Sequence, residues 1–328
     1  MIGTRTPFRM SFIGGGSDIE EFYTKSSGAV ISTTINKYMY IFVHNYFNDS
    51  IQLKYSRTEL VNHIDKIKHP IAREVIRKFN LKGVDINSIA DMPAGTGLGS
   101  SSSYTVGLLN AIYKFTNQSV SPETLAREAC EIEINILKEP IGKQDQYAAA
   151  YGGLNLIKFH KSGRVEVSPI KMCNKAYKTL QNNLILYYTG KTRSASKILH
   201  DQKNNIINDN KKFDLQKKMS TLVISAKEKL LESNLEDFAK ILDKNWQLKK
   251  SLSKKVSNKD IDCLYDLGKK NGAIGGKLLG AGGSGFILFY CEKNKQSKLR
   301  QALNSLKEYK FKFDDNGSVV LEMSQSKS

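Results

Sequence analysis

Apolar residues recur along this chain with two different periods. Val106, Leu109, Ile112 and Tyr113 fall three and four residues apart, which is the spacing of one helix face and predicts a helix over 104–115. A second amphipathic helix is expected over 71–79, after Pro70. A third opens at Pro122 behind Ser121 and runs towards Leu137, because serine caps and proline suits a first helical turn. Strands are expected over 38–47 and 84–90, over 154–159 after Gly152-Gly153, and over 182–188. Aromatic and β-branched residues mark the first of these. Further helices are expected near 219–232 and 235–250, with a polar stretch at 200–218 that is either a solvated helix or a mobile loop. A last α/β portion begins near 260 and ends on a strand at 286–290. The polar, basic segment 160–183 marks a boundary, so the chain divides into 1–170 and 171–328.

Composition narrows the class. With 328 residues, 40% of them hydrophobic, the chain can bury a real core and is not disordered. No apolar run approaches the ~20 residues of a membrane span, and the start, Met1-Ile2-Gly3-Thr4-Arg5, lacks a signal pattern. A cytoplasmic protein is expected. Cys130, Cys173, Cys263 and Cys291 are scattered without zinc spacing and read as free thiols. The net charge is +18. Its lysine pairs, 211-212, 217-218, 249-250, 254-255 and 269-270, read as solvated helix faces. No basic stripe is interleaved with aromatics as in single-strand binders, so no nucleic-acid partner is expected.

The chemistry concentrates where Pro93-Ala94-Gly95-Thr96-Gly97-Leu98-Gly99 runs into Ser100, Ser101, Ser102 and Ser103. Glycines let a backbone approach a ligand closely. A helix N-terminus offers free N–H groups and a positive dipole end, which together suit phosphate. It is not a Walker A loop: Gly190-Lys191-Thr192 has Ile185 where the first glycine belongs, and that pattern needs both. Three other segments stand out. Arg9 precedes an apolar run that ends in Gly14-Gly15-Gly16-Ser17-Asp18, where Asp18 could accept from substrate hydroxyls. Glu133, with Glu131 and Glu139 as competitors, precedes Gly142-Lys143-Gln144-Asp145-Gln146. Separated carboxylates beside a phosphate loop suit metal-assisted phosphoryl transfer, one holding the ion and the other orienting or deprotonating a hydroxyl. The stretch 272–285 reads as a second glycine loop, approaching either a ligand or the first loop.

Together these motifs resemble the GHMP kinase family. Pro7 and Arg9, the Pro93–Ser101 loop and the Lys277–Gly285 glycines match its three motifs in order. The resemblance implies an α+β fold of two domains, a ribosomal S5 domain 2-like N-terminal domain and a ferredoxin-like C-terminal one. It implies ATP held by Pro93, Gly95, Gly97, Leu98, Gly99 and Ser100–Ser103, with Mg²⁺ on Ser101 and Glu133. Asp145 matches the catalytic aspartate, and Arg9 matches the conserved arginine of the first motif, placed at the substrate to stabilise charge or assist Asp145. Gly15, Gly16, Ser17, Asp18, Gly282 and Gly283 are expected at the substrate. One departure is a turn one residue longer than the common Gly-x-Asp, at 142–146. That form, with Gly14–Asp18 and Tyr188–Arg193, is similar to a subgroup of sugar 1-kinases that includes heptose 7-phosphate kinases and fucokinases. A phosphorylated small-molecule sugar would need cations, with Arg193 first and Lys171, Lys191 and Lys197 behind it. A homodimer is left open. A catalytically idle sugar sensor is the other reading of such a fold, and intact Asp145, Glu133 and Arg9 speak against it.

Overall fold

The computed structural model describes residues 1–190 and 195–321, without the side chains of Ala195 and Lys197. The chain begins with β1 (Ile2–Ile13), α1 (Glu20–Tyr23), β2 (Gly28–Asn45), β3 (Ile51–Lys54) and β4 (Thr58–Val61). Then come α2 (Pro70–Phe79), β5 (Val84–Ala90), α3 (Ser100–Phe115), α4 (Pro122–Cys130) and α5 (Gln144–Tyr151). β6 (Asn155–Phe159), β7 (Val165–Pro169), α6 (Asn174–Asn183) and β8 (Leu184–Tyr188) follow. The rest is α7 (Ala195–Asn208), α8 (Asn210–Leu231), α9 (Leu235–Lys250), α10 (Lys259–Lys270), β9 (Ala273–Leu278), β10 (Phe286–Cys291), α11 (Gln296–Ala302), β11 (Lys307–Tyr309), β12 (Phe313–Asp314) and β13 (Val319–Leu321).

Among the described residues the strands form two sheets. The first runs β13-β1-β2-β5-β3-β4, with β12 and the β6–β7 pair added along β2; the second is antiparallel, β11-β8-β10-β9. This is the expected two-part α+β architecture. The division at 170/171 falls between the sheets, but the last segment crosses back, since β13 pairs with β1 and β12 with β2. Ser318 reinforces the return by bonding the Thr6 hydroxyl and the Asn110 amide.

Several elements differ from expectation for physical reasons. β1 has almost no alternation of buried and exposed positions, because helices and strands cover it, and its apolar run gave no period to read. α3 starts at Ser100, four residues before the expected start at 104, since Ser102 and Ser103 are themselves buried. The polar 200–218 stretch is helical. Asp209 caps α8 by accepting from Lys211 and Lys212 N–H, and Gln216, Met219, Val223, Ala226 and Leu230 form its buried face. Residues 273–278 are a strand, not part of a glycine loop; the loop proper is 279–285. Finally, α4 does not run on to Leu137. It widens into a π-helical turn over Glu131–Ile136, where the Leu137 N–H reaches the Ile132 carbonyl. Such widened turns re-aim side chains and cluster at functional sites; here the turn carries Glu133.

Candidate active site

The phosphate loop and the start of α3 are shaped as the sequence suggests. Gly95, Gly97 and Gly99 all have positive φ, of 75°, 85° and 77°, a region that side chains with a Cβ avoid. Gly99 is the N-cap and no side chain caps the helix. The first turn therefore leaves backbone N–H groups at Ser100, Ser101 and Ser102 without an intrahelical partner. Ser103 is different. Its N–H bonds the Gly99 carbonyl and its hydroxyl donates to the Pro7 carbonyl at 2.9 Å, so neither group is left for a phosphate. Leu98 is buried and accepts from the Arg9 N–H at 3.0 Å, and Pro93 accepts from the Thr96 hydroxyl. Both shape the loop from within.

Arg9 and Asp145 meet beside this loop. Arg9 Nε donates to Asp145 Oδ1 at 2.7 Å and Nη2 to Oδ2 at 2.5 Å, while Nη1 donates to the Gly97 carbonyl at 2.5 Å. Arg9 is buried, whereas the Asp145 side chain keeps 23% exposure. The guanidinium thus fixes the carboxylate bidentately and anchors both to the loop. Asp145 sits in the first turn of α5, with its remaining surface open.

Glu133 meets the first turn of α3. Its carboxylate accepts from Ser101 Oγ at 2.9 Å, Ser102 Oγ at 2.9 Å and Gln146 Nε2 at 2.6 Å. Burial nonetheless pushes its carboxyl up to about 7, against the pull of those hydrogen bonds. A buried carboxylate costing this much is one that a cation would relieve. The exposed Ser101 hydroxyl beside it completes a pair of hard oxygen donors of the kind Mg²⁺ takes together with phosphate oxygens. Among the described residues no group of three or more His, Cys, Asp or Glu could hold a metal ion.

The Gly14–Asp18 segment is tied inward more than the sequence suggests. Ser17 exchanges hydrogen bonds with Ala29 on β2, donating to its carbonyl and accepting from its N–H, so it holds the fold. Asp18 is 2% exposed. It accepts from Gly16 N–H, Gln144 N–H and Gln144 Nε2, and burial, followed by the neighbouring Asp145 charge, raises its carboxyl. Asp18 therefore braces the turn that carries Asp145. The extra residue of that turn has a use: Gln144 grips Asp18 through both its backbone and its side chain. Gly142 is required because a Cβ there would fall 2.0 Å from Asp18 Oδ2. Gly15 and Gly16 remain partly open.

The second glycine loop presses on the first. A Cβ at Gly280 would lie 2.5 Å from Gly97 Cα, and one at Gly285 would lie 2.5 Å from the Thr96 carbonyl oxygen. Gly282 and Gly283, expected at the substrate, instead pack on the turn at Val256: a Gly282 Cβ would strike its carbonyl at 2.5 Å, and Gly283 N–H donates to it at 2.8 Å. Lys191 and Arg193 lie outside the described residues, as does the Lys197 side chain; Lys171 is exposed.

Two lysines were not legible as site residues. Lys277 is buried, its amine donating to the Ser11 and Phe12 carbonyls at 2.6 and 2.9 Å. Burial drives its pKa well below the usual lysine range, with the Lys249 and Arg9 charges adding to the effect. Lys249, read from sequence as half of a solvated pair, is 6% exposed and donates to the Gly280 carbonyl. Asn245, one turn earlier on α9, accepts from Gly14 N–H at 3.2 Å, so this face of α9 turns to the glycine segments. Only the spacing of Asn245, Trp246 and Lys249 hinted that the face is buried.

The phosphate loop, the Arg9–Asp145 pair and two packed α+β halves define a small-molecule phosphotransferase of the GHMP class, and the chain belongs to the GHMP kinase family. GHMP kinases N terminal domain matches residues 62–153 and GHMP kinases C terminal matches 226–310. The chain is 31% identical over 321 residues to D-glycero-alpha-D-manno-heptose 7-phosphate kinase of Campylobacter jejuni, covering 94% of each. It superposes with a TM-score of 0.82 and 26% identity on a D-glycero-D-manno-heptose 1-phosphate kinase from Bacteroides thetaiotaomicron, covering 99% of this chain and all of that one. It is also 26% identical, over 93% of its length, to part of a bifunctional fucokinase/GDP-fucose pyrophosphorylase from Arabidopsis thaliana, of which it covers 31%. It is an enzyme transferring phosphate to a sugar hydroxyl. Among the described residues no helix is long and apolar enough to cross a membrane.

Proposed function

We propose that this chain transfers the γ-phosphoryl group of ATP to the anomeric hydroxyl of D-glycero-D-manno-heptose 7-phosphate, giving the 1,7-bisphosphate for nucleotide-heptose synthesis. The observation that carries the reading is the bidentate Arg9–Asp145 pair anchored on the Gly97 carbonyl. It sets an open carboxylate oxygen beside a helix N-terminus suited to phosphate. The names of the Campylobacter and Bacteroides relatives support the heptose assignment.

The N–H groups of Ser100, Ser101 and Ser102 grip the nucleotide's phosphates. Ser101 and Glu133 would hold Mg²⁺. Bound there, the ion would neutralise charge on the phosphate oxygens, which with positioning is the main source of catalysis in this chemistry. Asp145 accepts the hydrogen of the acceptor hydroxyl and takes its proton as the sugar oxygen bonds the γ-phosphorus. The bond to the bridging oxygen breaks and its electron pair leaves with ADP. Arg9 keeps the carboxylate aimed throughout, and Gln144 and Asp18 hold the turn beneath it. Arg193 is proposed to meet the distal 7-phosphate.

The test is ADP release from Mg²⁺-ATP with a panel of heptose 7-phosphate, free heptose and fucose. Turnover with heptose 7-phosphate above the others is expected. Preference for fucose, which the Arabidopsis relative favours as the second reading, would replace the substrate while leaving the chemistry. No release with any sugar would end the proposal.

A further inference from the structure

We propose that Lys249 is a further cation of the transfer site and donates to the phosphoryl group as it passes to the acceptor, an inference that rests on the phosphotransferase reading above. Arg9 is the obvious candidate for that task, yet three of the five N–H bonds an arginine carries are committed to holding the site together: Nε and Nη2 on Asp145, Nη1 on the Gly97 carbonyl. Lys277 is turned to β1, with two of its donors on the Ser11 and Phe12 carbonyls. Among the described residues Lys249 has one hydrogen-bond partner, the Gly280 carbonyl, and an ammonium carries three donors.

Its position is fixed by contacts on both sides. Gly280 is packed on Gly97, whose carbonyl holds Arg9, so Lys249 reaches the phosphate loop through a single residue. Asn245, four residues earlier on the same helix face, holds Gly14. Around the Gly14–Gly16 segment lie buried polar atoms with no partner: Ser11 Oγ, Gln216 Oε1 and Asn245 Nδ2. These residues come from β1, α8 and α9, and buried polar atoms are rarely left so unless a ligand or water completes them. Polar groups thus await a partner on the glycine segment that this face of α9 holds, and Lys249 belongs to the same face.

The charged groups facing Lys249 are Arg9 on β1, Asp18 in the glycine segment, Asp145 on α5 and Lys277 on β9. Burial first, then the Arg9 charge, lowers the amine to about 8, with Asp18 and Asp145 pulling the other way. The free enzyme therefore loses this charge as pH rises through that value. The profile of kcat/KM, which reports groups of the free enzyme, should fall with it, whereas an arginine stays charged.

The experiment compares wild type, Lys249→Met and Lys249→Arg. Turnover is measured against pH with the sugar the panel selects, alongside calorimetric binding of Mg²⁺ with ADP plus aluminium fluoride and of Mg²⁺ with AMPPNP. Lys249→Met should lower kcat by ~10²–10³, as loss of one transition-state donor does, and weaken the fluoride complex far more than AMPPNP. Lys249→Arg should recover part of the rate and abolish the alkaline fall near pH 8. Wild-type turnover in the methionine variant, equal weakening of both complexes, or an alkaline fall unmoved in the arginine variant would overturn the proposal. Should Lys249→Met melt at the assay temperature, the arginine profile decides. A wild type that releases no ADP with any sugar would sink the functional reading instead, and the fluoride titration, which needs no turnover, still judges Lys249.

Discussion

Two glycine-rich loops of similar composition do opposite work in this molecule. The loop at 93–99 feeds a helix whose first-turn N–H groups no side chain caps. The loop at 279–285 feeds a strand, β10, and its glycines are close against protein: Gly97, Val256 and Thr96 in turn. One loop is proposed to hold the nucleotide, and the other packs against that loop. Glycine density shows that something comes close; only the element that follows tells what.

The largest effect should come from the chemistry that the first loop serves. Asp145→Asn keeps the size of the side chain but removes its charge and its basicity. We expect kcat to fall ~10²–10⁴-fold, the contribution of a positioned base, with ATP affinity retained; near-normal turnover would remove Asp145 from the mechanism. A pair of alanine substitutions then separates the two contacts of the second loop. Gly280 has φ +71° and Gly282 φ +113°, so each alanine carries strain of order 1–3 kcal/mol and both should lower Tm. Only Gly280→Ala pushes on Gly97, and only it should raise KM for ATP, by ~10-fold if about 1.4 kcal/mol of that strain reaches the site. Equal KM values in the two variants would mean that the loops are not coupled. The smallest expected effect is at Arg193. Arg193→Ala should raise KM for the phosphorylated sugar and leave KM for ATP alone, and parallel changes in both would dismiss its role at the distal phosphate.

Much of the site could be read before the structure. The phosphate loop was legible because glycines followed by an amphipathic repeat have few other uses. Glu133, Arg9 and Asp145 were legible as a pattern of types, and the fold follows from the family they resemble. What escaped has a common cause. Lys249 and Lys277 are charged residues in polar or glycine-rich surroundings, and composition argues that such lysines are wet. Lys277 is buried against β1, 265 and 266 positions away, and Lys249 against the second loop, 31 positions on, which no local period records. Ser17 and Ser103 were misplaced in the other direction: hydroxyls beside a ligand site, turned inward to Ala29 and Pro7. The extra residue at 142–146 was visible as a departure, but its use appeared only when Gln144 was seen to grip Asp18.

The return of β12 and β13 to the first sheet has a consequence for how the enzyme is made. When a ribosome has delivered everything through β7, β1 still lacks its outer neighbour and Thr6 lacks Ser318. The second half must be synthesised before that gap can be sealed. Nucleotide-binding competence should therefore arrive late in translation and all at once, and the two halves made as separate polypeptides would each lack a piece that the other carries.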